Sequence, residues 1–213
     1  MTSTAALQQA TATGNNLELN KGDQFIFALD VSRSMETKDC PGNQSRIQYA
    51  KESAKLFASE AAKYDPDGAD YFTFGSSVTP YLNQTEAQAH SLIDKLAANE
   101  GATDTAGVIT EAWKRAKYLR SQGVTDNIVL MVVTDGAPSD GEAVKTVIRG
   151  IANELTNGED FGISFLTVGN IDTALRSFLT DLDDNLNAKY DIVDVKDFMS
   201  VNFAQAFDGA THD

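Results

Sequence analysis

The sequence contains few of the residues on which several common catalytic sites depend. It has one cysteine, Cys40, so no disulfide can form within the chain, and we expect a reducing compartment. Its only histidines are His90, in a predicted amphipathic helix, and His212, close to the end of the sequence, so a Ser-His-Asp triad has little to be built from. The sequence also contains neither a Gly-x-Ser-x-Gly nucleophile elbow nor a Gly-x4-Gly-Lys-Ser/Thr phosphate loop. The sequence therefore indicates neither a serine-hydrolase site nor a phosphate-loop nucleotide site.

Basic residues are also scarce. Lys and Arg total 17 against 31 Asp and Glu, which gives a formal net charge of −14. Such a surface repels phosphate backbones and anionic lipid, so binding to nucleic acid or to a membrane surface is not expected. No apolar run approaches the ~20 residues that span a bilayer, and the N-terminal stretch shows neither the basic n-region nor the apolar h-region of a secretory signal. We therefore expect a soluble, cytoplasmic protein.

The organisation of the sequence is that of one globular unit with an arm. Residues 1–20 are rich in Thr, Ala, Gln and Asn and are predicted to form a flexible arm, whereas 21–213 are predicted to form a single domain. Strands are predicted over 24–30, 69–75, 77–83, 127–134, 161–169 and 189–195, and helices over 45–64, 85–99, 106–123, 139–155, 172–182 and 196–209. This alternation predicts an α/β fold with a doubly wound, mostly parallel central sheet and helices on both faces. The segment 77–83 is expected to be a short antiparallel edge strand, because Pro80 suits only an edge.

Hydroxyl and carboxylate side chains follow two of the predicted strands and precede one of the predicted helices. Asp30, Ser32 and Ser34 come at the end of the first strand, in the stretch LDVSRSM. Asp135 follows a long apolar strand in the sequence TDG, and GATDT, which contains Thr103, comes before a helix. Ligands of an open α/β sheet bind outside the carboxyl ends of its strands, so these oxygens can meet at one edge. A set of oxygen ligands alone suits hard cations such as Mg²⁺, Mn²⁺ or Ca²⁺ rather than zinc.

Each of these segments has an ordinary structural explanation when it is taken alone. Strand ends are often polar, TDG is a common turn sequence, and a Thr before a helix is more often an N-cap than a ligand. The combination of the three segments, in this order along the chain, is what indicates a site.

The three segments together resemble the three parts of the metal-ion-dependent adhesion site (MIDAS) of von Willebrand factor A (VWA) domains, and the resemblance extends over roughly residues 20–209. It implies the doubly wound, Rossmann-like fold of that family. It also implies a metal site, all of whose positions carry the expected type of residue: Asp30, Ser32, Ser34, Thr103 and Asp135. Arg33 is a departure, because the family often has a small residue at that position.

The resemblance also implies a function. A cation such as Mg²⁺, or alternatively Mn²⁺ or Ca²⁺, held mainly by neutral hydroxyls stays electrophilic and keeps a coordination position for an outside anion. The expected ligand is a protein partner that presents an Asp or Glu carboxylate, so an adhesion or scaffold module is predicted and not an enzyme. Many standalone bacterial members resemble subunits that act beside ATPase or stress-resistance machines, which favours an assembly of that kind. In the family the last helix, here 196–209, is expected to shift as the metal shell changes.

Three residues beside the predicted metal site are candidates for a partner-binding rim: Arg33, Asp104 and Asp140. Arg33 could reach the carboxylate of the partner, or it could be solvated or paired with Glu36 or Asp39. The two acids could bind a second cation or tune selectivity, or they could be exposed helix caps.

An alternative function is that of a Mg²⁺-dependent phosphohydrolase with Asp30 as the nucleophile. Against it, no second acid lies two residues after Asp30, and no basic phosphate clamp is evident around it.

Overall fold

The computed structural model describes residues 23–64 and 68–197. The predicted arm, 1–20, lies outside the described residues. The predicted last helix, 196–209, lies outside them as well except for its first two positions, Lys196 and Asp197, which instead end a strand.

Six strands form one sheet in the described part of the chain. They are β1 (Gln24–Asp30), β2 (Ala69–Phe74), β3 (Val78–Gln84), β4 (Ile128–Thr134), β5 (Phe161–Thr167) and β6 (Val193–Asp197). Their order is β3-β2-β1-β4-β5-β6, and every neighbouring pair is parallel except β2 and β3, which are antiparallel. This is the predicted doubly wound sheet, with the strand that contains Pro80 at the predicted edge.

Five α-helices within the described residues cover the two faces of the sheet. They are α1 (Arg46–Ala61), α2 (Glu86–Lys95), α3 (Thr105–Ser121), α4 (Gly141–Glu154) and α5 (Thr173–Asp183). Because side chains alternate along a strand, each strand contributes to two separate cores. In β1, Phe25, Phe27 and Leu29 pack with α1 and α2, whereas Ile26 and Ala28 pack with α3, α4 and α5. None of the helices in the described segments is both long and apolar enough to cross a membrane.

Two predicted boundaries are wrong by about four residues, and tertiary contacts explain one of them. Helix α2 ends at Lys95 rather than near 99, because the next residue is extended and the Lys51 ammonium group donates to two carbonyl oxygens at the helix end. Strand β6 begins at Val193 rather than at 189, since its pairing with β5 starts only there.

The sheet reverses its winding direction at β1. The chain runs from β1 to β2 on one side of the sheet, and β4 lies on the other side of β1. The loops that follow β1 and β4 therefore diverge at adjacent strand ends and leave a crevice between them. The register places Leu29 beside Val133, so Asp30 and Thr134 reach the crevice at the same level.

Candidate metal centre

Asp30, the last residue of β1, forms the floor of the site. It is fully buried, with 0% of its surface exposed. Its Oδ1 accepts a hydrogen bond from the backbone N–H of Ser32 at 2.8 Å, and its Oδ2 accepts one from the Thr134 hydroxyl at 2.7 Å. Donors from two neighbouring strand ends therefore fix this carboxylate and shape the loop that follows it.

A chain of hydrogen-bonded side chains crosses from the end of β1 to the end of β4. The Oγ atoms of Ser32 and Ser34 are 3.0 Å apart, and Ser34 Oγ donates to Asp135 Oδ1 at 2.7 Å. A short 3-10 helix, Arg33–Glu36, places Ser34 in this chain. Adjacent ligands of an octahedral Mg²⁺ with bonds of about 2.1 Å are about 3.0 Å apart. The two serine hydroxyls therefore have the spacing of neighbouring Mg²⁺ ligands.

Thr103 is brought beside these residues by the loop between α2 and α3. The backbone N–H of Glu100 donates to Val31 O at 3.1 Å, and the backbone N–H of Arg33 donates to Glu100 O at 2.9 Å. Ser139 then fixes Thr103 itself: its Oγ accepts from Thr103 N–H at 3.1 Å, and its own N–H donates to Thr103 O at 3.0 Å. The Thr103 hydroxyl makes no hydrogen bond within the described residues. Its lone pairs are therefore available to a ligand.

The role of Ser139 differs from the predicted one. The sequence pattern Ser139-x-x-Glu142 predicts a capping box at the start of this helix, and the prediction is wrong: the N-cap of α4 is Asp140, whose carboxylate accepts from the backbone N–H of Ala143 at 3.0 Å. Ser and Asp are about equally good N-caps, so the sequence alone could not choose between the two neighbours. The hydroxyl of Ser139 is free to hold Thr103 because Asp140 caps the helix.

The electrostatics of the site are dominated by the burial of Asp30. Burial raises the pKa of Asp30 from 3.8 to about 6; the hydrogen bonds from Ser32 and Thr134 oppose the rise, and the nearby Asp135 adds to it. A carboxylate that is difficult to ionise in the metal-free protein gains strongly from a cation placed beside it.

Arg46 brings a positive charge into the site, and the sequence analysis missed it. Its Nη1 donates to Asp135 Oδ2 at 2.9 Å, while Nε and Nη2 donate to the carboxylate of Asp39 at 2.9 and 2.6 Å. The hydrogen bonds from Arg46 hold the pKa of Asp39 below its ordinary value. A signal was present in the sequence, because Arg46 directly follows the N-cap Ser45. A positive charge at the N-terminus of a helix is unfavourable unless an anion compensates it.

Each of the three predicted rim residues is next in sequence to a residue of the site or to Ser139, which contacts Thr103. Arg33 is exposed and makes no side-chain hydrogen bond or ion pair with any described residue, so solvation is the alternative that the structure shows. Asp39, one of the two predicted partners of Arg33, forms an ion pair with Arg46 instead. Asp104 and Asp140 are the N-caps of α3 and α4 and accept backbone N–H groups from the first turns of these helices.

The donor set is rich in hydroxyls and poor in carboxylates. No group of three or more His, Cys, Asp or Glu residues that could hold a metal occurs in 23–64 and 68–197. An open, doubly wound sheet with hydroxyls and two carboxylates gathered at its switch point defines a Rossmann-like α/β domain with an oxygen-lined site.

The chain belongs to the VWA family, because the sequence profile of the von Willebrand factor type A domain matches residues 25–206. VWA domains are generally metal-dependent adhesion and protein-interaction modules and are typically not enzymes. No curated protein matches the chain significantly in sequence.

Several solved structures share the fold at low sequence identity. An aerotolerance-related membrane protein from Bacteroides fragilis, carrying multiple mutations to serine, is 15% identical with a TM-score of 0.62; the match covers 88% of this chain and 96% of that one. The SpRpn10 VWA domain is 15% identical with a TM-score of 0.59, over 86% of this chain and 93% of that one. The manganese-loaded TRAP protein from Plasmodium vivax is 16% identical with a TM-score of 0.57, over 89% and 73% of the two chains.

Proposed function

We propose that this VWA domain is a divalent-metal-dependent protein-binding module. The cation, Mg²⁺ in the first place and Mn²⁺ or Ca²⁺ as alternatives, is assigned to the predicted set of ligands: Asp30, Ser32, Ser34, Thr103 and Asp135. The observation that carries the proposal is the chain from Ser32 through Ser34 to Asp135, with its 3.0 Å spacing between the two hydroxyl oxygens. The manganese in the structure of the related TRAP protein supports a divalent cation.

The residues fit a hard cation that is bound mainly by neutral oxygens. Ser32, Ser34 and Thr103 supply hydroxyls, and the Thr103 hydroxyl has no competing hydrogen bond among the described residues. Both oxygens of Asp30 and both of Asp135 accept hydrogen bonds, which fixes the orientation of the two carboxylates, and their negative charges balance that of the cation. A cation held in this way supplies an electrophilic centre that an Asp or Glu carboxylate of a partner can complete.

The geometry gives no support to the alternative phosphohydrolase. A nucleophilic Asp30 would need an oxygen free to attack, but the residue is fully buried and each of its oxygens is held by a protein donor. Arg46, which donates to Asp135 of the candidate site, is itself paired with two carboxylates and is therefore not available as a phosphate clamp.

We place the module in a cytoplasmic assembly, beside an ATPase or a stress-resistance machine. The single cysteine and the acidic composition agree with this setting. The structural neighbour from Bacteroides fragilis is described as an aerotolerance-related membrane protein; the first part of that description agrees with a role under stress, whereas its membrane location differs from the one proposed.

The proposal is tested by calorimetric titration of the full chain with Mg²⁺. We expect binding to the wild type and a loss of at least tenfold in affinity for Ser34→Ala, because the substitution removes a ligand and the donor to Asp135. Ser121→Ala is the matched control, since Ser121 is exposed at the end of α3 and bonds only to Tyr118 O and Gln122.

A pull-down with the same variants tests the capture of a partner. A protein recovered by the wild type in Mg²⁺ should be lost in EDTA and with Ser34→Ala, and should remain with Ser121→Ala. Equal recovery in all conditions, or no heat of Mg²⁺ binding to the wild type, would show the proposed function to be wrong.

A further inference from the structure

Arg46 is a buried cation within the candidate metal centre. Only 11% of its side chain is exposed, and the side chain of Asp135, to which it donates, is fully buried. Nη2 of Arg46 also donates to the backbone carbonyl of Asn170 at 3.2 Å. One guanidinium group therefore joins the loop after β1, the end of β4 and the loop after β5.

Both carboxylate oxygens of Asp135 accept a hydrogen bond, one of them from Arg46. Its Oδ2 accepts from Arg46 at 2.9 Å, and its Oδ1 accepts from Ser34 at 2.7 Å. Each carboxylate oxygen has two lone pairs, so an accepted hydrogen bond does not by itself exclude a metal. A cation bound to Oδ2 would however lie beside the guanidinium of Arg46 and be repelled by it, whereas Ser34 can keep its O–H directed at Asp135 while its own lone pairs face the cation.

The surroundings of Arg46 favour this arrangement. Asp39 is bound through two of the guanidinium nitrogens and is held in turn by the backbone N–H of Asn170 at 2.9 Å. A Cβ atom at Gly169, where φ is +75°, would overlap Arg46 Nε, so the chain passes the guanidinium at a distance that only glycine permits. The planar fork of Arg46 is therefore fixed on several sides, which is the geometry in which Arg and Lys are not interchangeable.

We propose that Arg46 is a positioning residue that keeps Asp135 out of direct contact with the bound cation, so that Asp135 acts through Ser34. The inference deepens the proposed function and depends on it. As a consequence, one more coordination position of the bound cation would be occupied by water until a carboxylate of the partner displaces that water. Without Arg46, the freed carboxylate of Asp135 would compete for that position from within the domain.

The probe for this inference is Mn²⁺ alone, added to the full chain. The affinity is measured by titration, and the number of exchangeable waters on the bound ion is measured by water-proton relaxation. In Arg46→Met we expect Mn²⁺ to bind on the order of tenfold more tightly, the scale on which outer-shell residues alter metal sites, and with about one water fewer than in the wild type. A residue that only supported the fold would weaken binding and would leave the water count unchanged.

Two further variants serve as a control for Arg46→Met and as a substitute for it. Asp39→Asn keeps the contact between Arg46 and Asp135, so its water count should equal that of the wild type. Asp39→Asn combined with Arg46→Met removes the unpaired acid that the single change leaves, and it takes the place of Arg46→Met if that variant does not fold. It should show the same loss of a water.

The two proposals fail in different ways. If the wild type binds Mn²⁺ but the loss of Arg46 leaves the water count unchanged, the role of Arg46 is overturned whatever the change in affinity, because removing a positive charge by itself tightens the binding of a cation, and the metal site stands. If the wild type does not bind Mn²⁺, both proposals are overturned.

Discussion

Replacing Asp30 with Asn should stabilise the metal-free protein while it abolishes the response to Mg²⁺. The reason is the pKa of Asp30, which burial raises from 3.8 to about 6. An acid with a raised pKa binds its proton more tightly in the folded state than in the unfolded one. Its contribution to stability is therefore complete below pH 3.8 and is lost as the pH rises through about 6.

The magnitude follows from the size of this shift. A rise of about 2 pKa units corresponds to about 3 kcal/mol in the free energy of unfolding, at about 1.36 kcal/mol per unit. Asn is neutral at every pH, so the gap between the variant and the wild type should be close to zero near pH 4 and reach about 3 kcal/mol above pH 6.5. For a chain of this size that gap is worth about 6–12 °C in Tm.

The hydrogen bonds of Asp30 can survive the substitution. The Asn Oδ1 can accept from the backbone N–H of Ser32, as Asp30 Oδ1 does at 2.8 Å. The Asn Nδ2 can donate to Thr134 Oγ1, whose own proton then turns to Gly136 O, which lies 3.4 Å away. The variant therefore loses the buried charge without leaving a buried polar group unpaired.

Thermal and chemical unfolding in EDTA, followed between pH 4 and pH 8, provide the assay. Asp184→Asn is the matched control, because it makes the same change at an exposed position at the end of α5. Saturating Mg²⁺ should stabilise the wild type, by about 2.7 kcal/mol at a hundred times its Kd, and should not stabilise Asp30→Asn. A variant that is less stable than the wild type at pH 7.5 in EDTA would refute the electrostatic argument.

Three further substitutions separate the site from its scaffold. Thr103→Ala should weaken Mg²⁺ binding in calorimetry without changing the metal-free Tm, since its hydroxyl has no hydrogen bond to lose among the described residues, and Thr103→Ser should restore the affinity. Gly169→Ala should destabilise the protein by about 1–3 kcal/mol in urea unfolding, because φ is +75° there and the new Cβ overlaps the Arg46 side chain; an unchanged midpoint would contradict this. Arg115→Met should cost about 3–5 kcal/mol without affecting Mg²⁺ affinity, since it leaves the buried Asp70 without the guanidinium that donates to it at 2.5 Å.

The strands and helices that position the site could be predicted because each obeys a simple periodicity. β1 and β4 are buried on both faces and read as continuous apolar runs, which is typical of central parallel strands. The edge position of β3 followed from Pro80. The end of α2 could not be predicted, because it depends on Lys51 of another helix reaching its terminal carbonyl groups.

For the residues of the candidate site, too, predictability depends on whether their contacts follow from a local pattern or from residues far away in the sequence. Asp30, Ser32 and Asp135 could be proposed because the switch point of a doubly wound sheet gathers whatever follows its central strands. The contact of Arg46 with Asp135 could not, since the two residues are 89 positions apart; the position of Arg46 at the start of a helix indicates only that some anion compensates its charge. Ser139, which holds Thr103 across 36 positions, was likewise assigned to the nearest local pattern.

The charges of the site explain how a strongly acidic domain can hold an acidic ligand. Asp30, Asp39 and Asp135 contribute −3 and Arg46 contributes +1, so the cluster carries −2 at neutral pH. A divalent cation would bring the sum over these four residues to zero, so they would not repel an incoming carboxylate although the whole chain carries −14. Without Arg46 the same cation would leave the cluster at −1, and the partner would be opposed at the point of contact. Arg46 would therefore favour binding of the partner's carboxylate and lower the affinity of the site for the metal.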